Sequence, residues 1–292
     1  QIVQQEINID SSGSILIQVL ISGKESVLLR GLAGLLNSVS IEFSKLRCQL
    51  IEIKTLSSLS EIIGIIEENR NDLYNTHILY NKGKRFVRVF KELTSDHESL
   101  SLWKDNGVDV IIGGAGAIGV IFAKEIVKSV SKPILILTGR SALDSSKNEI
   151  IENLKILNVH VEYHQVDISN KKSTLDFFDY IQKTHGIING IIHSAGINRD
   201  KYILNKSKNE IKQVLQPKVN GIINIDEVTQ DIPLDFMIYF SSTAGVFGNV
   251  GQSDYAAANA FMDAFAEYRN ELVSQHKRAG RTISIDWSVW QD

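Results

Sequence analysis

Apolar and polar positions follow one another along the first hundred residues in a pattern of short strands separated by helices. Apolar runs of five to eight residues predict strands, and apolar residues spaced three and four apart predict helices. The predicted strands are 14–21, 49–53 and a pair within 76–90 that turns at 81–83, and the predicted helices are 25–39 and 59–70. We expect Gly31, Ala33 and Gly34 to let the first helix approach a sheet closely.

The rest of the chain repeats this alternation with longer elements. The predicted strands are 108–114, 133–140, 159–169, 190–196, 235–242 and 281–287, and the predicted helices are 117–130, 146–157, 172–186, 207–228 and 255–276. Apolar strands that alternate with helices are typical of a parallel sheet covered on both faces. We therefore predict an α/β fold with a doubly wound parallel sheet in residues 104–292. A smaller structural subdomain in residues 1–103 precedes it.

Composition narrows the classes of function. The chain has 292 residues, of which 43% are hydrophobic, with a net charge of −3 and a single cysteine, Cys48. These values predict a globular cytoplasmic protein without an internal disulfide, without a membrane span and without a nucleic-acid partner. No metal is predicted. The sequence starts just before a predicted strand and stops without a predicted terminal helix, so we expect a piece of a larger polypeptide.

A glycine-rich stretch, GGAGAIG, lies between a predicted strand and a predicted helix. Glycines at such a turn let backbone amides approach a pyrophosphate at the start of a helix. The candidate cofactor-binding residues of this stretch are Gly113, Gly114, Ala115, Gly116, Ala117, Ile118 and Gly119. No such stretch follows the strands of the first hundred residues, so we expect no cofactor site there.

The ends of the next strands indicate which dinucleotide binds. An NAD enzyme usually has an acidic residue about 20 residues after the glycines, but this chain has Arg140 and Ser141 in TGRS. An arginine pairs well with a 2′-phosphate, so NADPH is predicted, although a solvated surface arginine is the alternative.

Two further strand ends complete the predicted cofactor site. Asp167 and Ile168 in VDIS are expected near the adenine. Ser194, Ala195 and Gly196 in HSAG are expected where the chain passes close to the cofactor. His193 is interpreted as a structural, hydrogen-bonding histidine.

A tyrosine supplies the candidate proton donor. Tyr255 is followed four residues later by Asn259, where tyrosine-dependent reductases commonly have a lysine. A phenol needs a nearby cation to act as an acid–base group near neutrality. Lys218 in QPKVNG is the candidate cation, and Ser242 is the candidate partner of the substrate carbonyl.

In this exchange of lysine and asparagine, the chain resembles the ketoreductase domain of modular polyketide synthases, a branch of the short-chain dehydrogenase/reductase superfamily. The similar stretches span about 104–290 and are GGAGAIG, TGRS, VDIS, HSAG, PKVNG, FSSTAGVFGNVGQSDYAAANAFMDAF and ISIDWSVW. Residues 10–100 resemble the truncated, cofactor-free Rossmann-like subdomain of that family, and GNVGQ is similar to synthases whose acyltransferases act in trans. Ile112 and Ala117 depart from the threonine and glycine common there, and the family's lid is expected after residue 292.

The resemblance implies a function and further site residues. It implies NADPH-dependent reduction of a β-ketoacyl thioester on an acyl carrier protein, beside other domains of the same synthase. Tyr255 would donate the proton, Ser242 would bind the carbonyl, Lys218 would tune the tyrosine, and Asn259 would orient Lys218 or a water. Asp200 marks the B-type, D-hydroxy product, and Phe247 stands where A-type domains have tryptophan. A catalytically silent or epimerase-supporting scaffold and a free-standing reductase are the alternatives.

Overall fold

The computed structural model describes residues 4, 13–23, 26–55, 58–72, 74–93, 101–157 and 159–288. The chain divides into two compact units, each made of several segments. The first unit comprises Gln1–Asp96, Asn198–Lys212 and Ser242–Phe265, and the second comprises His97–Ile197, Gln213–Ser241 and Ala266–Asp292. The division into a structural and a catalytic subdomain after residue 103 stays a prediction.

The first unit contains a four-stranded sheet. Its strands lie in the order β1 (Ile15–Ser22), β2 (Leu46–Ile53), β3 (His77–Asn81) and β4 (Lys84–Val87). The first three strands are parallel, and β4 pairs with β3 in the antiparallel sense. The two residues between β3 and β4, Lys82 and Gly83, have φ of 51° and 71°. Positive φ at both positions is the geometry of a tight hairpin turn, as the sequence predicts.

Three helices accompany this sheet: α1 (Ser26–Leu29), α2 (Leu32–Glu42) and α3 (Leu59–Arg70). The prediction of one helix over 25–39 is wrong, because the chain breaks after Leu29. At the break, the Ala33 amide donates to the Arg30 carbonyl over 3.0 Å, a three-residue step that interrupts the α-helical ladder. The Arg30 guanidinium forms a two-pronged ion pair with Glu52 of β2, with both N–O distances 2.8 Å.

The glycines of this segment pack against a helix, so the expectation that they face a sheet is also wrong. A Cβ at Gly31 would lie 2.7 Å from the carbonyl oxygen of Ala257, and one at Gly34 would overlap the Ala256 carbonyl. Both alanines belong to helix α9 (Ser253–Ser274). Small residues on both helices therefore let the backbones of α2 and α9 touch.

The second unit contains a six-stranded sheet. Its strands are β5 (Val108–Ile112), β6 (Ile134–Gly139), β7 (His160–Gln165), β8 (Gly190–His193), β9 (Phe236–Ser242) and β10 (Arg281–Trp287). They lie in the order β10-β9-β8-β5-β6-β7, and β5 to β9 pair in parallel. The order reverses at β5. This reversal is the switch point at which open α/β sheets bind ligands.

Helices connect these strands: α4 (Ala117–Ser129), α5 (Ser145–Lys155), α6 (Lys171–His185), α7 (Lys208–Val228), the short α8 (Thr243–Phe247) and α9. Parallel strands joined by right-handed crossovers on either side of a reversal carry helices on both faces. The predicted doubly wound α/β fold is thus confirmed. Among the described residues, no helix is long and apolar enough to cross a membrane.

Candidate active site

The glycine-rich turn after β5 is shaped by close backbone contacts. Gly113 has φ of +79°, and a Cβ there would lie 2.8 Å from the Ala195 amide nitrogen. A Cβ at Gly119, in the first turn of α4, would lie 2.7 Å from the Gly113 carbonyl oxygen. Only glycine fits these positions, so the turn presses against the end of β8 and α4 presses against the turn.

The amides of this turn have two different uses. Those of Gly113 and Gly114 both donate to the Thr138 carbonyl of β6, over 2.9 and 3.1 Å. They therefore hold the turn on the sheet. The first amides of α4, which begins at Ala117 and has Gly116 as its N-cap, are by contrast at a helix start, a place that suits an anion.

A cavity of about 270 Å³ opens at the carboxyl ends of β5, β6 and β8 in the second unit. Nine of the predicted cofactor residues line it: Gly113, Ala115, Gly116, Arg140, Ser141, Ile168, Ser194, Ala195 and Gly196. The others, Gly114, Ala117, Ile118, Gly119 and Asp167, do not line it. The structure thus brings the predicted glycine turn and three predicted strand ends to one cavity at the switch point.

Two cationic side chains line the cavity beyond β6. Arg140 is exposed, and its backbone carbonyl accepts a hydrogen bond of 2.9 Å from the Gln165 side chain. Lys147, in the first turn of α5, also lines the cavity and forms an ion pair with Asp144. Lys147 is not among the residues predicted from the sequence, although a lysine in the first turn of the helix after TGRS could have indicated a second cation near Arg140. Together the two cations suit an anionic group.

The strand end after β7 contributes one exposed residue, Asp167, and one buried residue, Ile168. One oxygen of the exposed Asp167 carboxylate accepts from the Ser169 amide over 2.9 Å and from the Ser169 hydroxyl over 2.7 Å. Asp167 therefore holds its own turn. Ile168 is buried and packs so closely on Gly221 that a Cβ there would lie 2.6 Å from the isoleucine Cδ1. Ile168 forms an apolar wall of the cavity.

Lys218 is buried in the second unit beside the end of β8. Its Nζ donates to the Phe240 carbonyl of β9 over 2.8 Å, and its side chain packs beneath Gly196, where a Cβ would lie 2.9 Å from the lysine Cε. His193 is fully buried, and its Nε2 donates to the Pro217 carbonyl over 3.0 Å. Burial, with the Lys218 charge adding to it, lowers the pKa of His193 to about 3. A histidine kept neutral in this way has the structural role that the sequence predicts.

The first unit holds the other three predicted catalytic residues. Ser242, the last residue of β9, accepts from the Ala244 amide over 3.2 Å and caps α8, while its hydroxyl can still donate. Tyr255 is half-buried in the first turn of α9. Asn259 is fully buried one turn later, and its Nδ2 donates to the Tyr255 carbonyl over 2.8 Å. Tyr255 and Asn259 thus lie on one face of α9.

A buried ion pair next to Tyr255 was missed by sequence reasoning. The Lys206 ammonium lies 2.7 Å from Asp254, and the two side chains are 0% and 1% exposed. Lys206 also donates to the Arg199 carbonyl over 2.6 Å. The pair ties the loop after β8 to the first turn of α9, and the separation of 48 positions hides it in the sequence.

The two predicted substrate-guiding residues are both exposed in the first unit. Asp200 accepts from the Gln252 side chain over 2.9 Å, so its loop is held on the turn before α9. Phe247 stacks on Phe90 with ring centroids 5.3 Å apart, and lines a cavity of about 200 Å³.

Comparison with known proteins identifies similar domains. The family model described as KR domain matches residues 107–292. Polyketide synthase PksL of Bacillus subtilis (strain 168) is 46% identical over 99% of the chain, and polyketide synthase PksN of the same strain is 42% identical over 96%. The chain spans only 6% and 5% of the lengths of these two relatives.

A solved structure shares the whole architecture. The crystal structure of a ketoreductase domain from the bacillaene assembly line superposes with a TM-score of 0.95 at 40% identity. That match covers 100% of this chain and 70% of the other. Fold and sequence point to the same family.

Proposed function

This chain belongs to the ketoreductase (KR) domain family of polyketide synthases, and on that premise we propose that it uses NADPH to reduce a β-ketoacyl thioester carried by an acyl carrier protein. Members of the family are oxidoreductases that use a nicotinamide cofactor. The finer terms of the proposal are the choice of NADPH, the carrier-bound substrate, the residues that act and the configuration of the product.

The cavity at the switch point carries the proposal. In its glycine turn, a Cβ at Gly113, Gly114 or Gly119 would lie 2.7–2.8 Å from neighbouring protein atoms, so these glycines let the turn pack closely on β8, on β6 and on the start of α4. This packing is the one in which a Gly-rich turn presents a helix start to a pyrophosphate. Gly116 lines the cavity, and the amides of Ala117 and Ile118 follow it in the first turn of α4, so these three residues would hold the pyrophosphate through their backbone. Ala195 and Gly196 would border the nicotinamide end. Arg140 would pair with a 2′-phosphate, with Lys147 adding charge, because both line the cavity and among the described residues no hydrogen bond from the Arg140 guanidinium is found. These contacts favour NADPH over NADH.

The proposed chemistry is general acid catalysis at the ketone oxygen. When bound, the dinucleotide supplies the hydride. The Ser242 hydroxyl donates a hydrogen bond to the substrate carbonyl, and the Tyr255 hydroxyl gives its proton to the same oxygen. The Lys218 ammonium favours the phenolate that remains. Asn259 orients Lys218 or a water that returns the proton.

The proposed product has the D-configured β-hydroxyl. Asp200 stands at the position typical of B-type domains, and Phe247 replaces the tryptophan typical of A-type domains. Support for a guiding role of Asp200 comes from its tether to Gln252, which holds its loop beside the turn that precedes α9. The neighbouring Asn198 and Arg199 depart from the family's leucine and aspartate.

The proposed partners are a carrier protein with a phosphopantetheine-linked acyl chain and other domains of one synthase. The support is that the relatives are polyketide synthases, of which this chain matches only a small share.

The test is reduction of a β-ketoacyl thioester on a carrier protein, followed by loss of NADPH absorbance and by chiral chromatography. We expect turnover, NADPH preferred to NADH, and mainly the D-hydroxy product. Tyr255→Phe should abolish turnover and leave NADPH binding intact, while Tyr268→Phe on the same helix should leave turnover unchanged. A mainly L-configured product would overturn the stereochemical assignment alone, whereas turnover by Tyr255→Phe within a few-fold of wild type would remove the proton-donor role.

A further inference from the structure

Three histidines surround one glutamate at the edge of the second unit's sheet. The Nε2 atoms of His160 and His185 lie 2.7 and 2.9 Å from the same carboxylate oxygen of Glu162, Oε1. The Nε2 atom of His164 lies 2.8 Å from the other oxygen, Oε2. Four side chains that carry metal-ligating atoms thus converge on one point.

The cluster is assembled by strand alternation and by one helix end. His160, Glu162 and His164 occupy every second position of β7, so they lie on one face of this edge strand. His185 is the last residue of α6. Tyr163, between them, has the opposite orientation and lines the cofactor cavity, so no step of the proposed reduction uses the cluster.

We propose that His160, Glu162 and His185 form a Zn²⁺ site. Their ligand atoms all lie within 4.8 Å of one another. Two imidazoles and one carboxylate suit zinc better than magnesium or calcium, which prefer oxygen ligands. Water completes the tetrahedron. His164 donates to Oε2 of Glu162 and directs Oε1 toward the ion, the usual task of a partner that orients a metal ligand.

The geometry requires only a small opening. Ligand atoms about 2.0–2.1 Å from a tetrahedral ion lie about 3.3–3.4 Å apart. The two contacts to Oε1, at 2.7 and 2.9 Å, must therefore widen by roughly half an ångström. His160 can move because its side chain is 54% exposed, whereas that of His185 is only 9% exposed and supplies a fixed ligand.

The site would act as a cross-link. It joins edge strand β7 to the carboxyl end of α6, an element that reaches β7 otherwise through side chains such as Phe177 and Tyr180 around His164. An ion that binds the folded chain and not the unfolded chain stabilises the fold by an amount that grows with the logarithm of the ion concentration above Kd. Zinc is thus expected to raise the melting temperature without entering the reaction.

The test is Zn²⁺ titration of the chelator-treated chain, purified without an affinity tag, by calorimetry and thermal melting. We expect one Zn²⁺ per chain, a higher melting temperature, and no effect of Mg²⁺ at equal concentration. His164→Ala should weaken binding about ten- to a hundredfold, and His160→Ala or His185→Ala should weaken it more. Co²⁺ in place of Zn²⁺ should give the visible absorption of a tetrahedral site.

The matched control is His276→Ala, which removes an exposed histidine outside the cluster and should leave zinc affinity unchanged. The exposed His160 keeps the test decisive if His185→Ala does not fold. Absence of saturable zinc binding, or equal affinity in wild type and His160→Ala, would show that the cluster is a hydrogen-bonded network only.

Discussion

Lys218 is a single residue whose charge can be tested apart from its packing. Its side chain is 4% exposed, and its Nζ donates to the Phe240 carbonyl over 2.8 Å. Lys218→Met keeps an unbranched chain beneath Gly196 and removes the ammonium. Without a cation a phenol is a weaker acid, so we expect kcat/KM to fall and its pH optimum to move upward. The measurement is the pH profile of kcat/KM.

The exposed Lys212 of the same helix supplies the control. Lys212→Met should leave both the rate and the pH profile unchanged. Asn259→Ala should cost less rate than Lys218→Met. A Lys218→Met profile that coincides with wild type would assign the tuning charge to another residue.

Arg140 is the residue whose substitution tests the preference for NADPH over NADH. A charge-assisted hydrogen bond to the 2′-phosphate is worth roughly 1.5–3 kcal/mol, or about one to two decades in affinity. Arg140→Ala should therefore raise KM for NADPH about ten- to a hundredfold and leave KM for NADH nearly unchanged. Lys155→Ala, an exposed change on the next helix that lies outside the cavity, should alter neither value. Equal use of both cofactors by the wild type would refute the preference.

At the scale of elements, the Lys206–Asp254 pair anchors the start of α9. The two side chains are 0% and 1% exposed, so removal of one partner leaves a buried charge uncompensated. We expect Lys206→Met to lower the free energy of unfolding by about 3–5 kcal/mol in a denaturant titration. The control is the pair Lys201–Glu210, whose side chains are 49% and 24% exposed, and Lys201→Met should cost less than about 1 kcal/mol. Similar losses in the two variants would show that burial does not matter here.

Elements determined by local signals are those the sequence predicts best. Helix α3 occupies the predicted residues 59–70 because Ser58 and Glu61 form a capping box at its start. Strand β10 likewise occupies the predicted 281–287. The break after Leu29 escapes prediction because it depends on Glu52 and on the backbone of α9, both remote in sequence.

The same limit applies to the site. The glycine turn, Arg140 and Gly196 follow strand ends, and strand ends of a parallel sheet meet at one edge, so their convergence is predictable. His185 reaches Glu162 only through the docking of α6, and Lys206 reaches Asp254 across 48 positions. The spacing of apolar residues along the chain does not indicate which distant residues form such pairs.

At the scale of the whole molecule, buried ionisable groups shape stability against pH. Asp109, the second residue of β5, is 1% exposed, and among the described residues neither of its carboxylate oxygens has a hydrogen-bond partner. Burial, with the nearby charge of Asp235, raises the pKa of Asp109 to about 7 from 3.8. Asp235 is itself paired with Lys104 at 2.7 Å. The folded protein therefore keeps the Asp109 proton over a range in which the unfolded chain has released it.

Burial gives two histidines the opposite effect. It lowers the pKa of His193 to about 3 and that of His77 to about 4, from 6.5. Below pH 6.5 the unfolded chain binds protons that these folded histidines refuse, so their contribution to stability increases as pH rises through that window. The Asp109 contribution is complete below pH 3.8 and is lost as pH rises to about 7. Between pH 3.8 and 6.5 the histidine contribution increases with pH while the Asp109 contribution decreases. The stability of the wild type alone therefore does not show either contribution.

Asp109→Asn separates them, because it removes the aspartate titration and leaves the histidines. The cost of burying an amide is the same at every pH, so the change in unfolding free energy between variant and wild type reports Asp109 alone. We expect that difference to move in favour of the variant by roughly 3–4 kcal/mol between pH 4 and pH 8, at 1.36 kcal/mol per pKa unit. Urea titrations of both proteins across this range measure it, with Asp179→Asn on the surface of α6 as the control. A difference independent of pH would mean that the Asp109 carboxyl releases its proton in the folded protein as readily as in the unfolded chain.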